Sequence, residues 1–141
     1  MKITIFTSGS TGKSKAVTHN ETDFYKPAQF LCNKWKLDRK DIILNPFPNW
    51  TVAYWAFCFF PSQLTGCELV NIKMEPFHFW DVVNEIKPST MTLAIGTLRT
   101  LLKRKKPDLS FVRNFATGSA PVTTHDLNQM KFTGAKHIWN I

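Results

Sequence analysis

Cysteine is scarce in this chain: only Cys32, Cys58 and Cys67 are present, widely spaced and without a C-x-x-C pair. An odd, dispersed set of this kind excludes a disulfide framework and a thiolate zinc site, and it predicts a reducing, cytoplasmic setting. Acidic residues are also few, 10 Asp and Glu against 18 Lys and Arg, for a formal charge of +8. Such a balance steers nucleotides, nucleic acid or anionic lipid toward the surface without choosing among them. No long hydrophobic run occurs. The most apolar stretch, Val52 to Phe60, has about half the ~20 residues a membrane span needs, so no span is expected. The opening MKITIFTSGS turns polar too soon for a signal peptide. Without a secretion signal, the sequons at Asn20-Glu21-Thr22 and Asn49-Trp50-Thr51 read as chance. Internal repeats, low-complexity tracts and linkers are absent as well, and one domain is the expectation for 141 residues.

What is present is apolar and aromatic. Hydrophobic residues make up 43% of the chain, with 12 Phe and 5 Trp, enough to build a core. Short β-rich runs alternate with segments of helical periodicity, the pattern of an α/β fold with a mostly parallel sheet and helices on both faces. Expected strands are 3–6, 16–18, 41–44, 68–72, 90–95, 112–116 and 136–139, several of them apolar throughout, as befits strands covered on both sides. Expected helices are 20–35, firm only from about Pro27, then 51–60, 77–86, 97–105 and 123–130. The near-continuous apolar surface of 51–60 predicts deep burial. For the last helix, Thr123 or Thr124 is a ready cap and Gly134 stands beyond the end. The basic run Lys103 to Lys106 (KRKK) before Pro107 reads as positive charge at a helix C-terminus, with a nucleic-acid patch as the alternative.

The most informative segment is Thr7 to Lys15, TSGSTGKSK. Gly9 and Gly12 sit among the hydroxyl residues Thr7, Ser8, Ser10 and Thr11, after a hydrophobic strand and beside Lys13 and Lys15. Glycines let backbone amides approach phosphate oxygens as an anion-binding nest, hydroxyls donate further hydrogen bonds, and lysine neutralises charge. A Walker A loop fits less well, because Thr7 stands where its first glycine would be and Lys15 to Thr18 is strand-like rather than helical.

The order strand, TSGSTGxxK, short strand, histidine resembles the phosphate-loop signature of the adenylate-forming superfamily, which includes acyl- and aryl-CoA ligases, luciferases and peptide-synthetase adenylation domains. The pattern T-S-G-[ST]-T-G-x-P-K-[GA]-V is matched in register by Thr7, Ser8, Gly9, Ser10, Thr11, Gly12, Lys15, Ala16 and Val17. Ser14 replaces the usual proline, and His19 falls about two residues early. Leu37 to Leu44 is similar to the family's L-x-x-x-D-x-x-L run, and Pro61 to Val70 to its P-L-x-x-G-x-x-[LV] segment. Lys87 to Thr97 resembles the strand leading to the substrate pocket, with Gly96 where proline is common. Gly118-Ser119-Ala120-Pro121-Val122 resembles the G-[GS]-A-P-[LV] turn that lines the family's adenine and acyl sites.

The resemblance implies that residues 1–141 are a partial AMP-binding (adenylation) domain, an internal piece of the family's N-terminal domain. It implies ATP with Mg2+ as cofactor and CoA as an acyl acceptor. The family reaction joins a carboxylate to ATP through an acyl-adenylate with loss of pyrophosphate. Thr7, Ser8, Gly9, Ser10, Thr11, Gly12 and Lys15 are thereby expected at the ATP phosphates, and Gly118, Ser119, Ala120 and Pro121 at the adenine and acyl group. His19, Asn49 and Trp50 are expected on the substrate side, although Pro48-Asn49-Trp50 stands where many ligases carry a phenylalanine-histidine pair. The Y-G-x-T-E motif, the ribose-binding aspartate, the hinge and the C-terminal catalytic lysine all fall outside this segment, so no catalytic residue is assigned and efficient adenylation by the segment alone is not expected. Two rival readings stay open: a remnant or split subunit that binds nucleotide or a complementary chain without turnover, and a basic nucleic-acid-binding protein. His78, His125 and His137 share no metal-ligand spacing and read as structural or exposed, and no metal site is expected. The aromatic cluster Phe47, Trp50, Tyr54, Trp55, Phe57, Phe59 and Phe60 reads first as core and second as an acyl pocket.

Overall fold

The computed structural model describes residues 1–141, which separate into two compact units. The first comprises residues 1–40 and 47–69, the second residues 41–46 and 70–141.

The first unit opens with strands β1 (Lys2–Thr7) and β2 (Lys15–Asn20), paired antiparallel from Lys2↔Asn20 to Thr7↔Lys15. These two strands form a separate two-stranded sheet, not part of the parallel one that alternation alone suggested. Period-2 alternation turns Ile3 and Ile5 inward, while Phe6 and Val17 stay exposed. Helix α1 (Thr22–Trp35) begins before Pro27 rather than at it. Asn20 N–H donates to Asp23 Oδ2 at 3.0 Å, tying the strand's end to the first helical turn. The helix stops where Lys36 turns left-handed at φ 51°, with Leu37 N–H returning to the Cys32 carbonyl at 3.0 Å.

The expected apolar helix over 51–60 is a π-helical segment, Tyr54–Phe59, running into α2 (Phe60–Thr65). Within 51–60 only Ala56, Cys58 and Phe60 are buried, and Tyr54, Trp55, Phe57 and Phe59 are half-buried, less than the expected deep burial. The unit's core joins Ile3 and Ile5 to Phe24, Ala28, Ala56 and Phe60, with Phe24 and Phe60 stacked at 5.5 Å between centroids. All three cysteines are buried, and burial pushes the Cys58 thiol well above its ordinary pKa.

The second unit is built on a five-stranded sheet in the order β4-β3-β5-β6-β7, flanked by helices. Its strands are β3 (Ile42–Asn45), β4 (Glu68–Asn71, which begins in the first unit), β5 (Thr90–Ala94), β6 (Asn114–Gly118) and β7 (His137–Asn140). β3, β5, β6 and β7 run parallel. Every residue of β6 is buried, as a central strand covered by helices requires. Helices α3 (Phe79–Ile86), α4 (Ile95–Arg104) and α5 (Thr124–Lys131) supply Phe79, Val83, Leu98, Leu101 and Met130 to a core shared with Met91, Leu93 and Phe115. α4 starts at Ile95, so Ile95, expected to end the strand 90–95, and Gly96 belong to the helix expected from residue 97. α5 is capped by Thr123, whose Oγ1 accepts from Asp126 N–H while Asp126 Oδ2 accepts from Thr123 N–H, a reciprocal capping box. Gly134, at φ 87°, follows its end.

Residues that stand just before three neighbouring strands are tied together. Asp41 accepts from Ser89 Oγ at 2.6 Å and from Arg113 Nη2 at 2.7 Å, joining the N-terminal ends of β3, β5 and β6. The C-terminal ends of the same strands are left to carry connections, and in parallel α/β sheets ligands bind at that end.

Candidate functional site

Two of the candidate segments lie in different units. In the first unit, Thr7 to Lys15 is the connection of the β1–β2 hairpin. Thr7 pairs with Lys15 at its base, and Thr7 Oγ1 leans to the Lys15 carbonyl at 3.4 Å. Gly12 N–H donates to the Gly9 carbonyl at 3.1 Å, folding the tip into a tight turn.

The two glycines are required for different reasons. Gly12 sits at φ 77° with open space where a side chain would be, so its role is conformational. A Cβ on Gly9 would instead collide with the Lys13 carbonyl oxygen, so its role is close backbone approach. The hydroxyls of Ser8, Ser10, Thr11 and Ser14 are exposed and hold no partner within the chain, and the side chains of Lys13 and Lys15 are exposed too. Such a loop presents hydroxyl donors and two cations on a backbone already bent. It contains no carboxylate and carries two lysines, so it is built for an anion and offers a divalent metal only hydroxyl and carbonyl oxygens. The strand that follows it, β2, also removes the Walker A alternative, in which the loop opens a helix.

The same unit brings part of the expected substrate-side segment next to this hairpin. Phe6 N–H donates to the Trp50 carbonyl at 3.0 Å, one residue before the loop begins. Trp55 Nε1–H donates to the Asn49 carbonyl at 2.7 Å, and Thr51 N–H and Oγ1 both donate to the Pro48 carbonyl. Asn49 and Trp50 thus lie in a turn pinned by Thr51 and Trp55, with the Trp50 ring 54% exposed. The sequence marked Trp55 only as a member of the aromatic cluster and Thr51 only as the first residue of the expected helix 51–60, not as anchors of this turn. His19 lies in β2, paired with Ile3, one residue beyond the strand expected at 16–18. Its ring rests edge-on against Phe24 at 5.6 Å, with Nδ1 3.7 Å from Asp23.

In the second unit, Gly118 ends β6 and begins the turn through Pro121. A Cβ on Gly118 would collide with the Ile141 carbonyl, because Ile141 N–H bonds the Thr117 carbonyl at 2.9 Å and draws that backbone in. Gly118 therefore holds a structural requirement of its own. Gly118→Ala is expected to lower stability by about 1–3 kcal/mol, the usual range for an overpacked site. Equilibrium urea unfolding checks this, and a variant as stable as the parent would show that the Ile141 backbone gives way freely. Ser119 follows in the left-handed region at φ 75°, a conformation that non-glycine residues adopt rarely and that concentrates at functional turns. Ser119, Ala120 and Pro121 are exposed, and Arg99 Nη2 fixes the Pro121 carbonyl at 3.1 Å.

Arg99 is the residue sequence reasoning missed. Its Nε and Nη2 donate to both oxygens of Asp126 at 3.0 and 2.7 Å, while the Thr123 backbone and hydroxyl donate to Oδ2 at 2.8 Å. The hydrogen bonds from Arg99, then those from Thr123, hold the Asp126 carboxyl far below the ordinary carboxylate range. The T-x-x-D spacing of Thr123 and Asp126 was its legible half. His78, His125 and His137 are all exposed, and His78 Nδ1 sits 2.7 Å from Glu75.

A parallel α/β sheet flanked by helices, with a glycine-hydroxyl-lysine hairpin in the accompanying unit, is the N-terminal architecture of adenylate-forming enzymes. The N-terminal domain of FACL13 from Mycobacterium tuberculosis superposes with a TM-score of 0.75 at 20% identity, over 96% of this chain and 34% of that one. O-succinylbenzoate coenzyme A synthetase (MenE) from Bacillus subtilis, solved with ATP and magnesium ion, gives 0.78 at 20% identity, over 94% of this chain and 28% of that one. In sequence, acetyl-coenzyme A synthetase 1 of Candida albicans is 29% identical over 150 residues, covering 95% of this chain and 22% of the relative. The AMP-binding enzyme family model matches residues 2–141, and the chain belongs to that family. It spans about a fifth of the length of the acetyl-coenzyme A synthetase it matches. No helix is long and apolar enough to cross a membrane.

Proposed function

We propose that residues 1–141 are the nucleotide-phosphate-binding portion of the adenylation domain of an AMP-forming acid-CoA ligase. The whole protein would join a carboxylate to ATP as an acyl-adenylate, release pyrophosphate and pass the acyl group to CoA. The observation that carries the reading is the Thr7–Lys15 hairpin: Gly12 at φ 77°, Gly9 against the Lys13 carbonyl, hydroxyls without internal partners and two exposed lysines. These features favour a polyphosphate over a single carboxylate, because the donors are spread along the loop instead of converging on one point.

ATP, when bound, supplies the adenylyl group, with Mg2+ as its counter-charge. The loop's part is to bind and orient: backbone amides and hydroxyls on phosphate oxygens, and Lys15 as fixed positive charge at the hairpin base. Thr7–Lys15 holds no acid, so any carboxylate ligand to Mg2+ would come from outside it, and the loop itself would offer only hydroxyl or carbonyl oxygens. Gly118–Pro121 would contact adenine or acyl group with backbone held by Arg99 and the left-handed Ser119. His19, Asn49 and Trp50 are the proposed substrate-side residues, and the buried thiols favour a reducing, cytoplasmic setting.

Titrating the isotope-labelled 141-residue chain with Mg-ATP is expected to shift backbone amide signals of residues 7–15. Lys15→Ala should weaken this by about tenfold, the loss of one charge-assisted contact. Shifts confined to other residues, or unchanged affinity in Lys15→Ala, would refute the assignment. The segment alone is expected to show only background ATP-pyrophosphate exchange, and exchange at ordinary enzyme rates would overturn that expectation.

A further inference from the structure

The basic run at residues 103–106 is not absorbed by the phosphate-loop reading, and the structure divides it into two pairs. Arg104 and Lys105 are engaged: the Arg104 guanidinium lies 3.9 Å from the Phe77 ring centroid, and Lys105 Nζ is 3.6 Å from Asp81 Oδ1. Lys103 and Lys106 are exposed, have no acidic partner, and line a different surface, a groove of about 630 Å³ between α4 and α5.

The groove has an apolar floor and a cationic rim. Half-buried Leu102 on α4 supplies the exposed apolar floor, with Leu98, one helical turn before it, buried beneath, while His125 and Gln129 face it from α5. Its one acid, Asp126, is neutralised: Arg99 pairs with both of its oxygens, and the Thr123 amide and hydroxyl take further acceptor sites. An incoming anion therefore meets the two lysines without an opposing free carboxylate. The volume falls within the range of about 300–1,000 Å³ usual for small-molecule sites.

We infer that the α4–α5 groove is a second ligand site, separate from the phosphate loop, for a small amphiphilic anion: an apolar body over Leu102 and an acidic head between Lys103 and Lys106. Charge complementarity and the apolar floor select this class together. A bare inorganic anion leaves Leu102 uncovered, and a neutral apolar molecule leaves the lysine pair unused.

The test uses the labelled 141-residue chain with decanoate below its micelle-forming concentration, and with 1-decanol and acetate as partial probes. Decanoate is expected to shift signals of residues 98–106 and 123–129 saturably, with or without excess Mg-ATP, and both partial probes should bind at least about tenfold more weakly. Lys103→Glu with Lys106→Glu should weaken decanoate by about tenfold or more, whereas Lys103→Arg with Lys106→Arg should retain it. Both positions are exposed, so the Arg pair should melt at the parent value, while the Glu pair, which reverses charge at the C-terminal end of α4, should melt slightly lower; the Arg pair keeps the test valid if the Glu pair folds poorly. Equal binding of decanol and decanoate, binding indifferent to the Glu pair, shifts centred on residues 7–15, or no saturable binding would each overturn the inference.

Discussion

Phe115→Ala is expected to destabilise the second unit by about 3–5 kcal/mol, a large share of the roughly 5–15 kcal/mol that holds a typical domain folded. Phe115 is fully buried in β6, in register with Met91 on β5 and Ile138 on β7. Truncation removes the transfer free energy of the ring and leaves a cavity walled by strands and packed helices, which close in less readily than a loop would. Urea unfolding with an unchanged m-value and a lowered midpoint is the expected record. Phe115→Leu, which keeps much of the volume, should lose about 1.5 kcal/mol or less. Equal losses in the two variants would mean that packing volume is not what Phe115 supplies. Because β6 leads directly into Gly118 and Ser119, the Ala variant should also broaden the amide signals of that turn before global unfolding.

Asp41→Ala is expected to destabilise the same unit by about 2–4 kcal/mol, somewhat under the figure for a wholly buried pair because Arg113 is a third exposed. Asp41 itself is 3% exposed and accepts from both Ser89 Oγ and Arg113 Nη2. Removing the carboxylate leaves a guanidinium and a hydroxyl without that acceptor, at the point where Ser89 also receives the backbone N–H of Arg113 and Asn114 at 2.8 and 2.9 Å. Asp41→Asn retains one acceptor oxygen and should lose less. Raising salt to about 1 M should leave the parent's stability nearly unchanged, since screening acts weakly on a buried pair. A strong salt dependence, or a loss under about 0.5 kcal/mol in Asp41→Ala, would reduce the pair to an ordinary surface contact.

Much of the second unit was legible. Its strands are short apolar runs punctuated by Pro88, Pro107 and Gly134, and period and punctuation together located all five within a residue or two. The first unit was less so. β1 and β2 read as strands, but their antiparallel pairing apart from the main sheet depends on the hairpin closing at Thr7 and Lys15. The π-helical turn at Tyr54–Phe59 had no signature, because a run apolar on every side carries no period to read. Pro27 misled for a related reason: the exposed side of α1 near its start tolerates a missing N–H better than a rule for helix interiors allows.

What the sequence by itself determined is the lineage and the candidate phosphate loop, since glycines, hydroxyls and lysines in a fixed order are local chemistry and need no distant partner to be recognised. Tertiary structure decided what each of those residues is for. Gly9 and Gly118 look alike in sequence to Gly12, yet only Gly12 needs a left-handed backbone. The other two are required because a carbonyl, from Lys13 or Ile141, occupies the space a methyl would take. The same holds for the basic run, whose four like charges divide into an engaged pair and a pair lining a groove only after Phe77, Asp81 and α5 are packed beside them. Local order records which chemistry a segment carries. Steric fit and charge pairing depend on neighbours far away in the chain, and only folding brings them within range.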